Sequence, residues 1–184
     1  LKHLVVVFRG QELTQEQFIG ASQVFGNIAD LARPAEFRQP GFARLLDNIM
    51  LISNIRENGV PIGALPDGEM WFHHDMLHAE LPHKASCLYS IEVPPQGGNT
   101  LFANCYRAYE TMPPTLRYKL EGKRAFNSYN LGEVKRGDGK GVPHKKMASH
   151  PVFRTQDETG RKAVNVNRLM SDHIEDLPRE ESDS

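Results

Sequence analysis

The segment Ala85–Val93, ASCLYSIEV, alternates apolar and polar residues, and the turn-forming sequence Pro94-Pro95-Gln96-Gly97-Gly98-Asn99 follows it directly. Successive side chains of a β-strand point to opposite faces, so the four residues at odd positions from 87 to 93 would share one face. This pattern predicts a half-buried strand that ends in a turn, after which Thr100–Ala103 restarts the sheet.

Other short segments have the character of strands, and a few have the character of helices. A capping-box spacing at Thr14 and Gln17 predicts the first helix, which Gly26 would end. Two more helices are expected at Tyr106–Glu110 and Pro114–Glu121. The further predicted strands are Leu4–Phe8, Ile49–Ile55, Lys123–Leu131 and a hairpin of His150–Thr155 with Lys162–Asn167.

The balance of these elements predicts the class of fold. The strands are short, are separated by turns and outnumber the helices, and the sequence contains no internal repeat and no domain linker. We therefore expect a mainly β fold with flanking helices, in a single domain over residues 1–184.

Composition and charge exclude several classes of partner. The chain has 184 residues, 39% of them hydrophobic, and a net charge of −1. A near-neutral chain has no global electrostatic reason to bind nucleic acid or an anionic membrane, and no apolar run approaches the roughly 18 residues of a membrane span. Two cysteines do not make a disulfide framework, so we expect a reducing, cytoplasmic setting.

The chemistry-bearing segment is Trp71–His78, WFHHDMLH, which holds three of the eight histidines. In an extended chain His73 and Asp75 project to the same side, where an imidazole and a carboxylate can hold one edge of a divalent metal. In a helix, His74 and His78 would share a face instead, as in zinc hydrolases. The helix is the less favoured interpretation because Pro66 and Gly68 precede the segment and Pro82 closes it.

Several further segments accompany the His-x-Asp pair in a fixed order along nearly the whole chain. With them, the sequence resembles the taurine/2-oxoglutarate dioxygenase family, which includes taurine and phenoxyacetate-herbicide dioxygenases. The segments that carry the resemblance are Val7–Gln11, Phe25-Gly26, Trp71–Asp75, Gly97–Phe102, Ala108–Glu110, His150–Thr155, Gly160–Ala163 and Val166-Asn167.

The resemblance implies a fold, a reaction and a role for individual residues. The fold would be a double-stranded β-helix, a distorted jelly roll. The reaction would be Fe(II)- and 2-oxoglutarate-dependent hydroxylation, by molecular oxygen, of a small organic substrate that we expect to be anionic. His73 and Asp75 would be iron ligands, Thr100 would hydrogen-bond a carboxylate of 2-oxoglutarate, and His74 would be an unconstrained residue between the ligands. A homo-oligomer is also suggested.

The resemblance is incomplete at both ends of the sequence. The family's second iron-binding histidine and its 2-oxoglutarate-binding arginine have no counterpart in Met170–Ser184, and His150 is not expected to replace the histidine. We expect a single dioxygenase domain that lacks the family's N-terminal segment and C-terminal strands. The glycine-rich, basic stretch Gly132–Ser149 is predicted to be a mobile lid. A non-catalytic jelly-roll binding module remains the alternative from another class.

Overall fold

The computed structural model describes residues 3–29, 38–64, 70–129 and 146–183. The chain forms two compact units. The larger unit comprises Leu1–Val7, Trp71–Pro82 and Pro95–Ser184, and the smaller unit comprises Phe8–Met70 and His83–Pro94. None of the helices in the described ranges is long and apolar enough to cross a membrane.

The smaller unit begins with helix α1, Gln15–Ser22, as the capping box predicts. The Thr14 hydroxyl accepts from the Gln17 amide, and the Gln17 side chain accepts from the Thr14 amide at 2.8 Å. A 3-10 turn, Gln23–Phe25, continues the helix to Gly26, whose φ of 138° is open to glycine without strain. The predicted start and end of this helix are therefore confirmed.

The smaller unit also contains a short hairpin and a closely packed 3-10 turn. Strands β1, Arg56–Glu57, and β2, Val60–Pro61, form a short antiparallel hairpin. A 3-10 turn, Pro40–Arg44, lies close to Ile62. A Cβ atom on Gly41, within this turn, would lie only 2.5 Å from the Ile62 carbonyl oxygen. Glycine is therefore required at this close approach.

The larger unit is built on a three-stranded antiparallel sheet with the order β4-β3-β7. Strand β3, Arg124–Tyr129, pairs over its full length with β4, Lys146–Pro151, and β7, Ser171–Ile174, pairs with its other edge. The prediction of a strand at Lys123–Leu131 is confirmed for Arg124–Tyr129, and its last two residues lie outside the described ranges. β7 was not anticipated, because its four residues lack a distinct alternating pattern.

A hairpin and two helices complete the larger unit. Strands β5, Phe153–Thr155, and β6, Lys162–Val164, pair around the predicted turn, in which Gly160 has a φ of 66°. Helices α2, Cys105–Thr111, and α3, Pro114–Leu120, form where the sequence predicts them. A short helix α4, Arg179–Ser182, follows Pro178.

The core of the larger unit lies where the sheet, the hairpin and the helices meet. Ala125, Val152 and Phe153 are buried, and the Tyr109 ring of α2 meets the Phe153 ring edge-on, with ring centroids 4.9 Å apart. Asn127 of β3 is fully buried and polar, and its side-chain amide donates to the Ala125 carbonyl at 2.9 Å.

Several predicted strands are not strands in the structure. Residues 4–8, 85–93 and 100–103 form no ladder within the described ranges, and only Ile52 of the predicted strand at 49–55 makes a bridge, to Ala64. Apolar side chains there are exposed, such as Phe8 at 72% and Ile91 at 80%. An alternating pattern specifies which side chains share a face, whereas pairing also requires a neighbouring strand at the right distance.

The predicted lid is only partly within the described residues. Residues 132–145 lie outside them, and the remainder, 146–149, belongs to β4. The loop prediction is therefore wrong for those four residues, because pairing with β3 overrides their loop-like composition.

We expect Val152→Ala to lower the free energy of unfolding by about 2 kcal/mol, because the fully buried side chain leaves a cavity between the sheet and the hairpin. Urea denaturation of the protein measures this change. The matched control is Val24→Ala, at a side chain that is 82% exposed, which should change stability by less than about 0.5 kcal/mol. Equal losses in both variants would contradict the proposed core.

Candidate metal centre

The segment that carries the His-x-Asp pair is a turn and not a strand. Residues 71–74 belong to no helix or strand, residues 75–78 form a turn, and the Ala79 amide donates to the Met76 carbonyl at 2.8 Å. Met76 has a φ of 59°, which is unusual for a residue other than glycine. The backbone therefore bends sharply just after Asp75.

The bend leaves His73 and Asp75 side by side. His73 Nε2 lies 3.3 Å from Asp75 Oδ1, and both side chains are partly exposed. Their spacing of two residues predicts that the two side chains project together if the chain is extended there. In the structure the two side chains meet in a segment outside any strand that leads into the turn at residues 75–78.

The hydrogen bonds of His73 determine which of its nitrogens faces the carboxylate. Nδ1 lies 2.8 Å from the Trp71 carbonyl oxygen, which can only accept, so Nδ1 carries a proton and donates. In the neutral ring Nε2 is then an acceptor, and it faces another acceptor, the Asp75 carboxylate. The hydrogen bond with Asp75 accordingly raises the pKa of His73, although burial opposes the shift.

A proton or a metal ion between the two facing acceptors would stabilise this arrangement. Nitrogen and oxygen ligands about 2.1 Å from one divalent ion and at a right angle to each other lie about 3 Å apart. The 3.3 Å separation of Nε2 and Oδ1 is close to that value. The pair therefore fits two positions of a metal site.

Both ring nitrogens of His74 face side chains from distant parts of the chain. Its Nδ1 lies 3.4 Å from Asn167 Nδ2, and its Nε2 lies 3.6 Å from Cys105 Sγ at the start of α2. Burial is the main cause that lowers the pKa of His74, so its neutral form is favoured. The sequence did not predict these partners of His74, which the resemblance implied to be an unconstrained residue.

His78 does not join His74 in a second metal site. Its ring is buried and stacks on the Tyr129 ring of β3, with centroids 5.1 Å apart. The segment is a turn and not a helix, so the two histidines do not share a helical face. No group of three or more potential ligands converges anywhere in the described residues. The geometry gives no support to the zinc-hydrolase alternative.

Two other histidines of the larger unit, His150 and His173, also have structural partners. His150 lies within β4, near its end, and its Nε2 is 2.8 Å from the Ala79 carbonyl oxygen. His173 lies on β7, where its ring stacks on Phe126.

Thr100 lies after the predicted turn, where Gly97 and Gly98 have φ values of 77° and 66°. It is exposed, and within the described residues no hydrogen bond joins it to His73 or Asp75. The structure therefore brings His73 and Asp75 together, and the role of Thr100 stays a prediction.

The sequence did not predict the residues that contact His74 and Trp71, on either side of His73. Asn167 and Cys105 contact His74 across separations of 93 and 31 residues, and the Arg168 guanidinium lies 4.7 Å from the Trp71 ring centroid. No spacing rule connects positions so far apart in the chain. The only sequence signal was that Val166-Asn167 belonged to one of the segments that carry the family resemblance.

Comparison with known proteins identifies relatives of the whole chain. Pentalenolactone F synthase of Streptomyces avermitilis is 31% identical over 201 residues, which cover 96% of this chain and 62% of that protein. The alpha-ketoglutarate-dependent 2,4-dichlorophenoxyacetate dioxygenase of Cupriavidus pinatubonensis is 31% identical over 190 residues, covering 95% of this chain and 63% of that protein. This chain thus spans less than two thirds of the length of these curated relatives.

A solved structure and a family model agree with these relatives. The crystal structure of a taurine dioxygenase from Burkholderia xenovorans matches with a TM-score of 0.61 and 25% identity, over 96% of this chain and 54% of that chain. The model of the family described as "Taurine catabolism dioxygenase TauD, TfdA family" matches residues 1–184. The predicted family resemblance is confirmed: the chain belongs to the TauD, TfdA family of taurine catabolism dioxygenases.

Proposed function

We propose that the protein is an Fe(II)- and 2-oxoglutarate-dependent dioxygenase that hydroxylates a small organic anion. The observation that carries the proposal is the His73–Asp75 pair, whose facing acceptors fit a metal, in a chain of this dioxygenase family. The named relatives favour this function over a zinc hydrolase or a non-catalytic binding module.

His73 and Asp75 are proposed as two of the three protein ligands of the iron. The Trp71 carbonyl oxygen holds the Nδ1 proton of His73, so the ring presents Nε2 to the metal. The Asp75 carboxylate would offset part of the ion's charge. Bound Fe(II) would supply the oxidative chemistry that couples decarboxylation of 2-oxoglutarate, the cosubstrate, to hydroxylation of the substrate by molecular oxygen. The third ligand and the 2-oxoglutarate-binding arginine are expected outside the described residues.

Thr100 is proposed to donate its hydroxyl hydrogen to a carboxylate of 2-oxoglutarate. Its exposure supports this role, because the hydroxyl is accessible to a ligand. Thr100 follows the Gly97-Gly98 turn, in which both glycines have a positive φ.

The names of the relatives support an anionic substrate. They are described as acting on 2,4-dichlorophenoxyacetate, phenoxypropionate, a sulfonate and a sulfate ester, each of which carries a negative charge.

We also propose the double-stranded β-helix as the complete fold, and a homo-oligomer as the assembly. The free thiols of Cys87 and Cys105 are consistent with a reducing, cytoplasmic location, and the net charge of −1 with the expected lack of nucleic-acid or membrane partners.

Replacing either proposed ligand should abolish tight metal binding. We expect His73→Ala and Asp75→Ala each to weaken Fe(II) binding by more than about a hundredfold, because loss of a direct ligand costs more than loss of its supporting contacts. Anaerobic Fe(II) titration, with and without 2-oxoglutarate, measures the affinity, and succinate formation measures turnover.

The matched control for this experiment is His83→Ala, at an exposed histidine outside the candidate site. It should bind Fe(II) and form succinate as the unchanged protein does. If all three variants retained Fe(II) affinity, the assignment of His73 and Asp75 as ligands would be wrong.

Thr100→Val should raise the KM for 2-oxoglutarate by about tenfold or more, because a hydrogen bond to a charged group contributes about 1.5–3 kcal/mol. Succinate formation at varied 2-oxoglutarate concentration gives this value. Thr115→Val makes the same substitution at an exposed position in α3 and should leave the KM unchanged. A KM that responds equally to both substitutions, or to neither, would refute the role of Thr100.

A further inference from the structure

Two nearby backbone amides determine which atom of the Asn167 side-chain amide is the oxygen and which is the nitrogen. Its Oδ1 accepts from the Leu169 amide at 3.0 Å and from the Met170 amide at 2.9 Å. Backbone amides can only donate, so the atom that faces them must be the oxygen. The other atom of the amide, Nδ2, therefore faces His74.

This orientation in turn determines the tautomer of His74. Asn167 Nδ2 can only donate, so His74 Nδ1, at 3.4 Å, must accept. The neutral ring then carries its proton on Nε2, which points to Cys105 Sγ at 3.6 Å. Both ring nitrogens of the residue between the two proposed ligands are thereby held by distant parts of the chain.

Asn167 is itself anchored to the sheet. Its backbone amide donates to Ser171 Oγ at 3.0 Å, and the Ser171 hydroxyl donates to Asn127 Oδ1 at 2.7 Å. Asn127 is fully buried in β3. A continuous series of hydrogen bonds thus runs from the centre of the sheet through Ser171 and Asn167 to His74.

The neighbouring residue adds a second contact between the same turn and the same segment. Arg168 lies over the Trp71 ring at 4.7 Å, and Trp71 supplies the carbonyl oxygen that holds His73. The turn at residues 167–168 therefore touches the segment on either side of His73. Within the described ranges no strand pairing holds residues 71–75, and these side-chain contacts help to hold the segment in place.

We propose that Asn167 is a positioning residue for the His73–Asp75 pair. By accepting the two turn amides and donating to His74, it fixes the backbone between the ligands and keeps both donor atoms within reach of one ion. This inference rests on the proposed function. Groups that contact metal ligands directly change metal affinity by about 10- to 100-fold when they are removed, and Asn167 acts one residue away from each ligand, through His74.

Asn167→Asp tests the contact with the least change in shape. An Asp side chain keeps an oxygen for the Leu169 and Met170 amides but replaces the donor that faces His74 with an acceptor. Long-range proton–nitrogen NMR of the metal-free protein reports the tautomer. We expect the His74 proton on Nε2 in the unchanged protein and on Nδ1 in the variant, a difference that a purely structural role for Asn167 would not produce.

The second measurement is the dissociation constant for Co(II), a redox-stable probe of the Fe(II) site. We expect Asn167→Asp to weaken Co(II) binding by about tenfold or more. His74→Leu removes the same contact from its other end while leaving the Asn167 turn intact, and should have a similar effect even if the Asp variant folds poorly. The control Asn48→Asp, at an exposed asparagine in the smaller unit, should bind Co(II) normally.

The outcomes separate this inference from the proposed function. Unchanged Co(II) affinity in both Asn167→Asp and His74→Leu, or a His74 proton on Nδ1 in the unchanged protein, would overturn the positioning role alone. Co(II) binding that is absent, or that His73→Ala does not weaken, would refute the proposed metal pair and the inference with it.

Discussion

The ladder between β3 and β4 determines where the candidate site can lie. Six residue pairs join these strands, and side chains from this sheet then reach the segment at residues 71–79. Tyr129 stacks on His78, His150 bonds the Ala79 carbonyl, and Asn127 connects to His74 through Ser171 and Asn167. Within the described residues the segment has no strand pairing of its own, and these contacts with the sheet help to hold it in place.

The His73–Asp75 pair differs from the exposed arginine–carboxylate pairs in the arrangement of its donor and acceptor atoms. Ion pairs such as Arg44–Glu57 and Arg161–Glu110 join exposed side chains, and such pairs contribute little to stability. At His73, by contrast, the Trp71 carbonyl oxygen occupies Nδ1 and forces Nε2 towards a carboxylate. This arrangement favours a cation bound between Nε2 and the Asp75 carboxylate.

A series of hydrogen-bonded polar side chains supports His74 in a bent segment that forms no β-ladder within the described residues. A buried polar group is costly unless it is hydrogen-bonded, and Asn127, Ser171 and Asn167 satisfy one another in series. The same groups provide fixed partners for the ring of His74. Stability of the sheet and placement of the candidate ligands are therefore coupled through shared hydrogen bonds.

The sequence by itself determined the family, the helices α1 to α3, strand β3, the β5–β6 hairpin and the two adjacent candidate ligands. Those features depend on local caps, turns and spacings. The tertiary structure alone decided that residues 85–93 form no ladder within the described ranges, that His74 is held by Asn167 and Cys105, and that β7 joins the sheet. The reason is physical: strand pairing and contacts across 93 residues depend on which distant groups meet, and a local pattern carries no information about them.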